Sequence, residues 1–86
     1  MKKTKVVNLR KEEYDVYIGR GSKWGNYFKV GRDGTRKEVI AKYKETIMLN
    51  EELMNCLHEL KGKRLGCFCK PKECHGDVLV ELADNL

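Results

Sequence analysis

The stretch CFCKPKECHGD at residues 67–77 places three cysteines and a histidine within nine positions. Three chemistries fit these residue types. As metal ligands, Cys67, Cys69, Cys74 and His75 make a Cys3His set, the soft and borderline donors that tetrahedral zinc takes. Their C-x-C-x4-C-H spacing is compact and differs from common zinc-finger spacings, and a sharp bend is needed for Cys74 and His75 to ligate together. As a reactive thiol, Cys74 stands just before an expected helix start. Amide dipoles there, with Lys70 and Lys72, favour a thiolate, and His75 can serve as base or proton donor. As packing, Cys67 and Cys69 are small core residues and His75 is a capping side chain. The residues alone leave the three open, with zinc the cofactor expected. Cys56 lies apart beside Leu57 and reads as packing.

A second segment, GRGSKWGN at residues 19–26, is rich in glycine but has neither the G-x-G-x-x-G spacing nor a Walker lysine–serine pair. Its glycines permit positive φ and close backbone approach. Arg20 can fork onto a phosphate or carboxylate. Ser22 and Asn26 offer a hydroxyl and an amide to a sugar or base, and Trp24 offers a stacking face. Each has a structural alternative: an ion pair for Arg20, a core plug under the loop for Trp24. In the HGD segment, Gly76 opens a helix whose N-terminal amides suit an anion. Asp77 can bind a ribose hydroxyl, act as a base beside His75, or stabilise the first helical turn.

The elements that position these segments follow from pattern. KVVNL (5–9) and YDVYIG (14–19) read as short strands, with Val16 and Ile18 on one face. TRKE (35–38) fits a capping box, opening a helix with Val39, Ile40, Tyr43 and Ile47 on one stripe. Asn50 caps a second helix carrying Leu53, Leu57 and Leu60, stopped by Gly62. RLGCFC (64–69) is a third strand, ended by Pro71. A last helix runs from about Gly76, with Leu79, Leu82 and Leu86 at helical spacing. The order is β-β-α-α-β-α. This is an α/β domain over residues 1–86, a small three-stranded sheet with helices packed on it. A strand, helical crossover and strand make a parallel pair, here 14–19 beside 64–69. Both special segments then leave C-terminal strand ends, where open α/β sheets bind ligands.

Composition narrows the setting. The chain has 86 residues, 18 Lys plus Arg against 13 Asp plus Glu, and a net charge of +5. A modest basic excess suits anionic partners, although a solvated basic surface explains it equally. No run approaches the roughly 20 apolar residues of a membrane span. The expected location is the cytoplasm, where thiols stay reduced and clustered cysteines bind metal or do chemistry.

VYIGRGSKWGNYF, TRKEVIAKYK and LKGKRLGCFCKPKECHGDVLVEL resemble the bacterial and phage domain-of-unknown-function family 4326, over roughly residues 6–83. The family more often has Pro after Asn26, where this chain has Tyr27. Around Cys67, Cys74 and His75 the chain also looks like the DUF488 group, another α/β family. Both resemblances imply a compact α/β domain with a shared site. The functional expectation is binding of a nucleotide or related phosphorylated ligand between residues 19–26 and 74–77. If the ligand is turned over, the enzyme is a hydrolase or transferase with His75 or Asp77 as acid or base. The rival expectation is a zinc-stabilised module, without catalysis, for nucleic acid, a host protein or a sequestered signalling nucleotide.

Overall fold

The computed structural model describes residues 3–68 and 72–86. Cys69 and the expected strand end at Pro71 lie outside the described residues. The elements are β1 (Lys5–Asn8), β2 (Val16–Tyr17), α1 (Arg36–Met48), α2 (Glu51–Cys56) with a following 3-10 turn (Leu57–Glu59), β3 (Arg64–Cys67) and α3 (His75–Asp84). This is the expected order, in a three-stranded sheet.

The sheet order is β1-β3-β2, with both pairs parallel. Val16 lies opposite Leu65 and Tyr17 opposite Gly66, so the expected parallel pair is present. On the other edge Lys5–Asn8 runs beside Arg64–Cys67 in parallel. Leu65, Gly66 and Cys67 are all buried, as a central parallel strand covered on both faces requires.

Because β1 and β2 flank β3 and run the same way, residues 9–15 must carry the chain back across the sheet. Tyr14 shows how. A Cβ on Gly66 would stand 2.7 Å from the Tyr14 ring, so the missing side chain leaves room for the crossing segment. The segment is then tied down at Asp15. Its carboxylate accepts from the Arg64 backbone N–H at 2.8 Å and from the guanidinium at 3.1 and 3.2 Å. These bonds from Arg64 hold the Asp15 carboxyl well below its ordinary value, at about 2.

Local signals set the helices. Thr35 and Glu38 form the reciprocal capping box at the start of α1. Val39, Tyr43 and Ile47 recur at four-residue steps and are buried. The Asn50 side chain accepts from the Leu53 N–H, and Gly62 takes φ 76° after the second helical segment.

The last helix begins within one residue of the expected start, and its buried stripe differs from the expected one. Cys74 is its cap, and it starts at His75. The inward stripe is His75, Gly76, Val78, Leu79 and Ala83, whereas Leu86 lies past the helix end and is exposed. The helix packs against α1, β1 and the 3-10 turn. Thr4 secures that corner: its hydroxyl donates to Asp84 at 2.6 Å and accepts the Gly62 N–H at 2.8 Å. One core cluster joins Ile18, Trp24, Tyr43, Ile47, Leu57, Leu60, Leu65 and Leu79.

Candidate functional site

A cleft of about 480 Å³ opens beside the C-terminal ends of β2 and β3. Gly19, Arg20 and Asn26 line it from one side, and Cys67, Cys74 and His75 from another. The parallel β2–β3 pair therefore brings the two special segments together. Phe28, Val39, Ile40 and Phe68 make apolar wall, and Lys29, Arg36 and Glu73 add charge. A second depression of about 340 Å³ shares Arg20, Asn26 and Lys29 with the cleft.

Residues 19–25 form a closed loop. The Ser22 N–H and hydroxyl both bond the Gly19 carbonyl, at 3.2 and 2.7 Å, and the Gly25 N–H donates to the Ser22 carbonyl at 3.1 Å. Gly21 takes φ 91°, and a Cβ on Gly25 would stand 2.9 Å from the Gly19 oxygen. The glycines thus serve the closure of the loop itself. Ser22 lines the smaller depression and not the main cleft, so its hydroxyl closes a turn there. Arg20 is exposed. Its backbone carbonyl accepts the Tyr17 hydroxyl at 3.0 Å, and its guanidinium makes no ion pair among the described residues.

Trp24 does not face the cleft, which corrects the stacking role. It is 2 % exposed and part of the core cluster. The Tyr43 hydroxyl donates to its carbonyl at 2.7 Å. The Lys23 ammonium lies 5.4 Å above its ring and is held there by Glu59 at 3.0 Å. The hydrophobic gain of burying an indole outweighs its use at an open loop, and the core-plug alternative holds. Asn26 does line the cleft, but its amide fastens the loop: Nδ2 donates to the Val39 carbonyl at 3.3 Å and Oδ1 accepts the Phe28 N–H at 2.9 Å.

The start of α3 is likewise occupied by its own residues. The Cys74 sulfur accepts the Gly76 N–H at 3.3 Å, and the Asp77 carboxylate accepts the Cys74 N–H at 3.2 Å. Gly76 is buried, and a Cβ there would stand 2.8 Å from both Ile18 and Val6. The expectation of Gly76 as an anion-binding amide is therefore corrected: it is a close-packing residue with its N–H bonded to the cap. Asp77 is exposed and completes the capping box, the stabilising alternative.

His75 is buried at the cleft floor. Its Nε2 lies 2.7 Å from the Ile18 carbonyl oxygen, which only accepts, so Nε2 carries the proton. Tyr43 packs edge-on to its ring at 5.0 Å. Burial lowers the His75 pKa, and the Ile18 hydrogen bond and Asp77 oppose that in part. The imidazole is thus held neutral in the Nε2–H form, leaving Nδ1 as its basic nitrogen.

Cys67 and Cys74 meet, with their sulfurs 3.4 Å apart. Among the described residues no group of three or more His, Cys, Asp or Glu lies close enough to hold a metal ion. Of the four expected zinc ligands, Cys69 is outside the described residues and His75 presents Nε2 to a carbonyl.

The family described as "Domain of unknown function (DUF4326)" matches residues 1–85. The chain belongs to DUF4326. This DUF4326 chain is also similar to a protein of Enterobacteria phage T4, "Uncharacterized 12.4 kDa protein in nrdA-td intergenic region". The two are 44% identical over 87 residues, covering 95% of this chain and 79% of the phage protein. No solved structure matches.

Sequence reasoning missed Lys29 and Arg36 as cleft cations. Arg36 reads as a residue of the capping box, yet its guanidinium donates to the Glu73 carbonyl at 3.0 Å across the cleft. Its place as the first residue of α1, beside the loop after β2, is the signal that finds it. Among the described residues no helix is long and apolar enough to cross a membrane.

Proposed function

We propose that this protein binds a nucleotide or related phosphorylated ligand in the cleft between residues 19–26 and the start of α3. The carrying observation is the lining: Arg20, Lys29 and Arg36 rim an apolar cavity of about 480 Å³. Cations over an apolar wall suit a ligand with an anionic end and a ring end. The volume falls within the range of about 300–1,000 Å³ for small-molecule sites. Arg20 and Arg36 supply planar forks for phosphate oxygens. Phe28, Val39 and Ile40 supply the surface for a base, the role that buried Trp24 does not fill. The reading includes a cytoplasmic location, the compartment in which thiols stay reduced.

If the ligand is turned over, His75 is the acid–base group, because Asp77 is held in the helix cap and lies outside the cleft lining. The second reading is a module that binds without turnover, whether a nucleotide, nucleic acid or a host protein. It is favoured by one observation: Nε2 of His75 is already bonded to Ile18.

Calorimetric titration with ATP, ADP, NAD and inorganic phosphate tests the proposal. At least one nucleotide should bind, and Arg20→Ala should weaken it about 10- to 100-fold, the loss of a charge-assisted hydrogen bond of about 1.5–3 kcal/mol. No binding at millimolar ligand, or binding untouched by both Arg20→Ala and Arg36→Ala, would sink it. Chromatography of the ligand after incubation separates the two readings. Product that disappears in His75→Asn marks an enzyme, and unchanged ligand marks a binding module.

A further inference from the structure

We propose that Cys67 and Cys74 form a reversible dithiol–disulfide pair on the floor of the cleft. The inference stands whether or not the cleft takes a nucleotide. It rests on the meeting of two elements. Cys67 ends β3, where it pairs with Asn8 of β1, and Cys74 caps α3. Their sulfurs lie 3.4 Å apart, with the residues 1 % and 3 % exposed. A disulfide needs about 2.05 Å between sulfurs. The sulfurs must therefore close by about 1.4 Å.

The chemistry has an entry route, because both residues line the cleft. The reacting species is a thiolate. The Gly76 N–H directed at the Cys74 sulfur holds negative charge there. This makes Cys74 the attacking group. With a low-molecular-weight disulfide such as oxidised glutathione, the Cys74 thiolate attacks one sulfur of the S–S bond. A mixed disulfide forms and one glutathione thiolate leaves. Cys67, already in contact, loses its proton and attacks the Cys74 sulfur of that mixed disulfide, expelling the second glutathione thiolate. The two protein thiols have lost two electrons and two protons. The glutathione disulfide has gained them and become two thiols. Proximity favours Cys67 as the resolving group over a thiol that must diffuse in. Cys56 lies on α2, outside the cleft lining.

The test exposes the folded protein to excess oxidised glutathione in the presence of a chelator, then alkylates under denaturing conditions. The chain has four cysteines. The expected result is a loss of two alkylatable thiols per chain, restored by dithiothreitol. Trypsin leaves the Lys70–Pro71 bond intact, so the bridge should join peptide 65–72 to peptide 73–86, and fragmentation should place it on Cys67. Cys69→Ser should retain the bridge and Cys67→Ser should abolish it. Four thiols still alkylatable, glutathione left on Cys56 alone, or a bridge through Cys69 in the wild-type chain would each overturn the proposal. So would release of stoichiometric zinc into the chelator, which would assign the two sulfurs to a metal.

Discussion

Replacing Trp24 with alanine should cost this protein about 3–5 kcal/mol of stability, a large share of what holds it folded. The indole is 2 % exposed and packs in the cluster with Ile18, Ile47, Leu57 and Leu60. Burying an aromatic of this size removes about 150–250 Å² from water. At about 25 cal/mol per Å², that is worth about 4–6 kcal/mol. Measured truncations of core aromatics to alanine fall at about 3–5 kcal/mol because the surroundings relax in part. A chain of 86 residues has about 4–13 kcal/mol in total, at about 0.05–0.15 kcal/mol per residue. The assay is urea unfolding followed by circular dichroism, since the substitution removes the only tryptophan. With a slope of about 1 kcal/mol per molar urea for a small domain, the midpoint should fall by about 3 M or more, or the folded baseline should vanish. In the wild-type chain, emission should start blue-shifted and move to the red across the same transition. A loss below about 1 kcal/mol, with native emission already at the position of the unfolded chain, would refute the core placement. It would return Trp24 to the loop surface.

Gly76→Ala should destabilise by about 1–3 kcal/mol, the usual range for overpacking, because the new methyl would stand 2.8 Å from both Ile18 and Val6; a thermal melt unchanged from wild type would contradict that packing. Stability should also fall with pH in two windows. His75 has a lowered folded pKa, so the unfolded chain takes up its proton first. Its contribution is present above about 6.5 and is lost as pH drops below that value, and His75→Gln should flatten this part of the profile. Asp15 is depressed to about 2, so its contribution is present above the ordinary carboxyl range and is lost as pH falls from there through about 2; Asp15→Asn should remove that acid limb. Urea midpoints measured from pH 8 to pH 2 check both.

The helix signals were legible in the sequence because they act over three or four residues. Thr35 with Glu38, Asn50 and Gly62 each settle a helix end by hydrogen bonds or φ within one turn of chain. The parallel pairing of β2 with β3 was legible for a different reason: a strand, helical crossover and strand leave little topological freedom. That pairing alone brought the 19–26 loop beside Cys74 and His75. What only the tertiary structure decided depends on residues far apart in sequence. β1 lies across β3 from β2, and the crossing segment packs Tyr14 where Gly66 leaves room, a contact that no local pattern encodes. The start of α3 was legible to within one residue, but cysteine is not a usual cap, and the Cys74 sulfur emerged as the acceptor of its amide only in the structure. Trp24 reads as a core plug slightly more readily than as a ligand face, and only the packed cluster with Tyr43, Ile47 and Leu57, with Lys23 over the ring, decides it. Lys29 and Arg36 become cleft cations only because the start of α1 and the loop before it pack beside the ends of β2 and β3. Short-range hydrogen bonds are written into neighbouring residues, whereas a cavity is the space left between elements, and its lining exists only once they have packed.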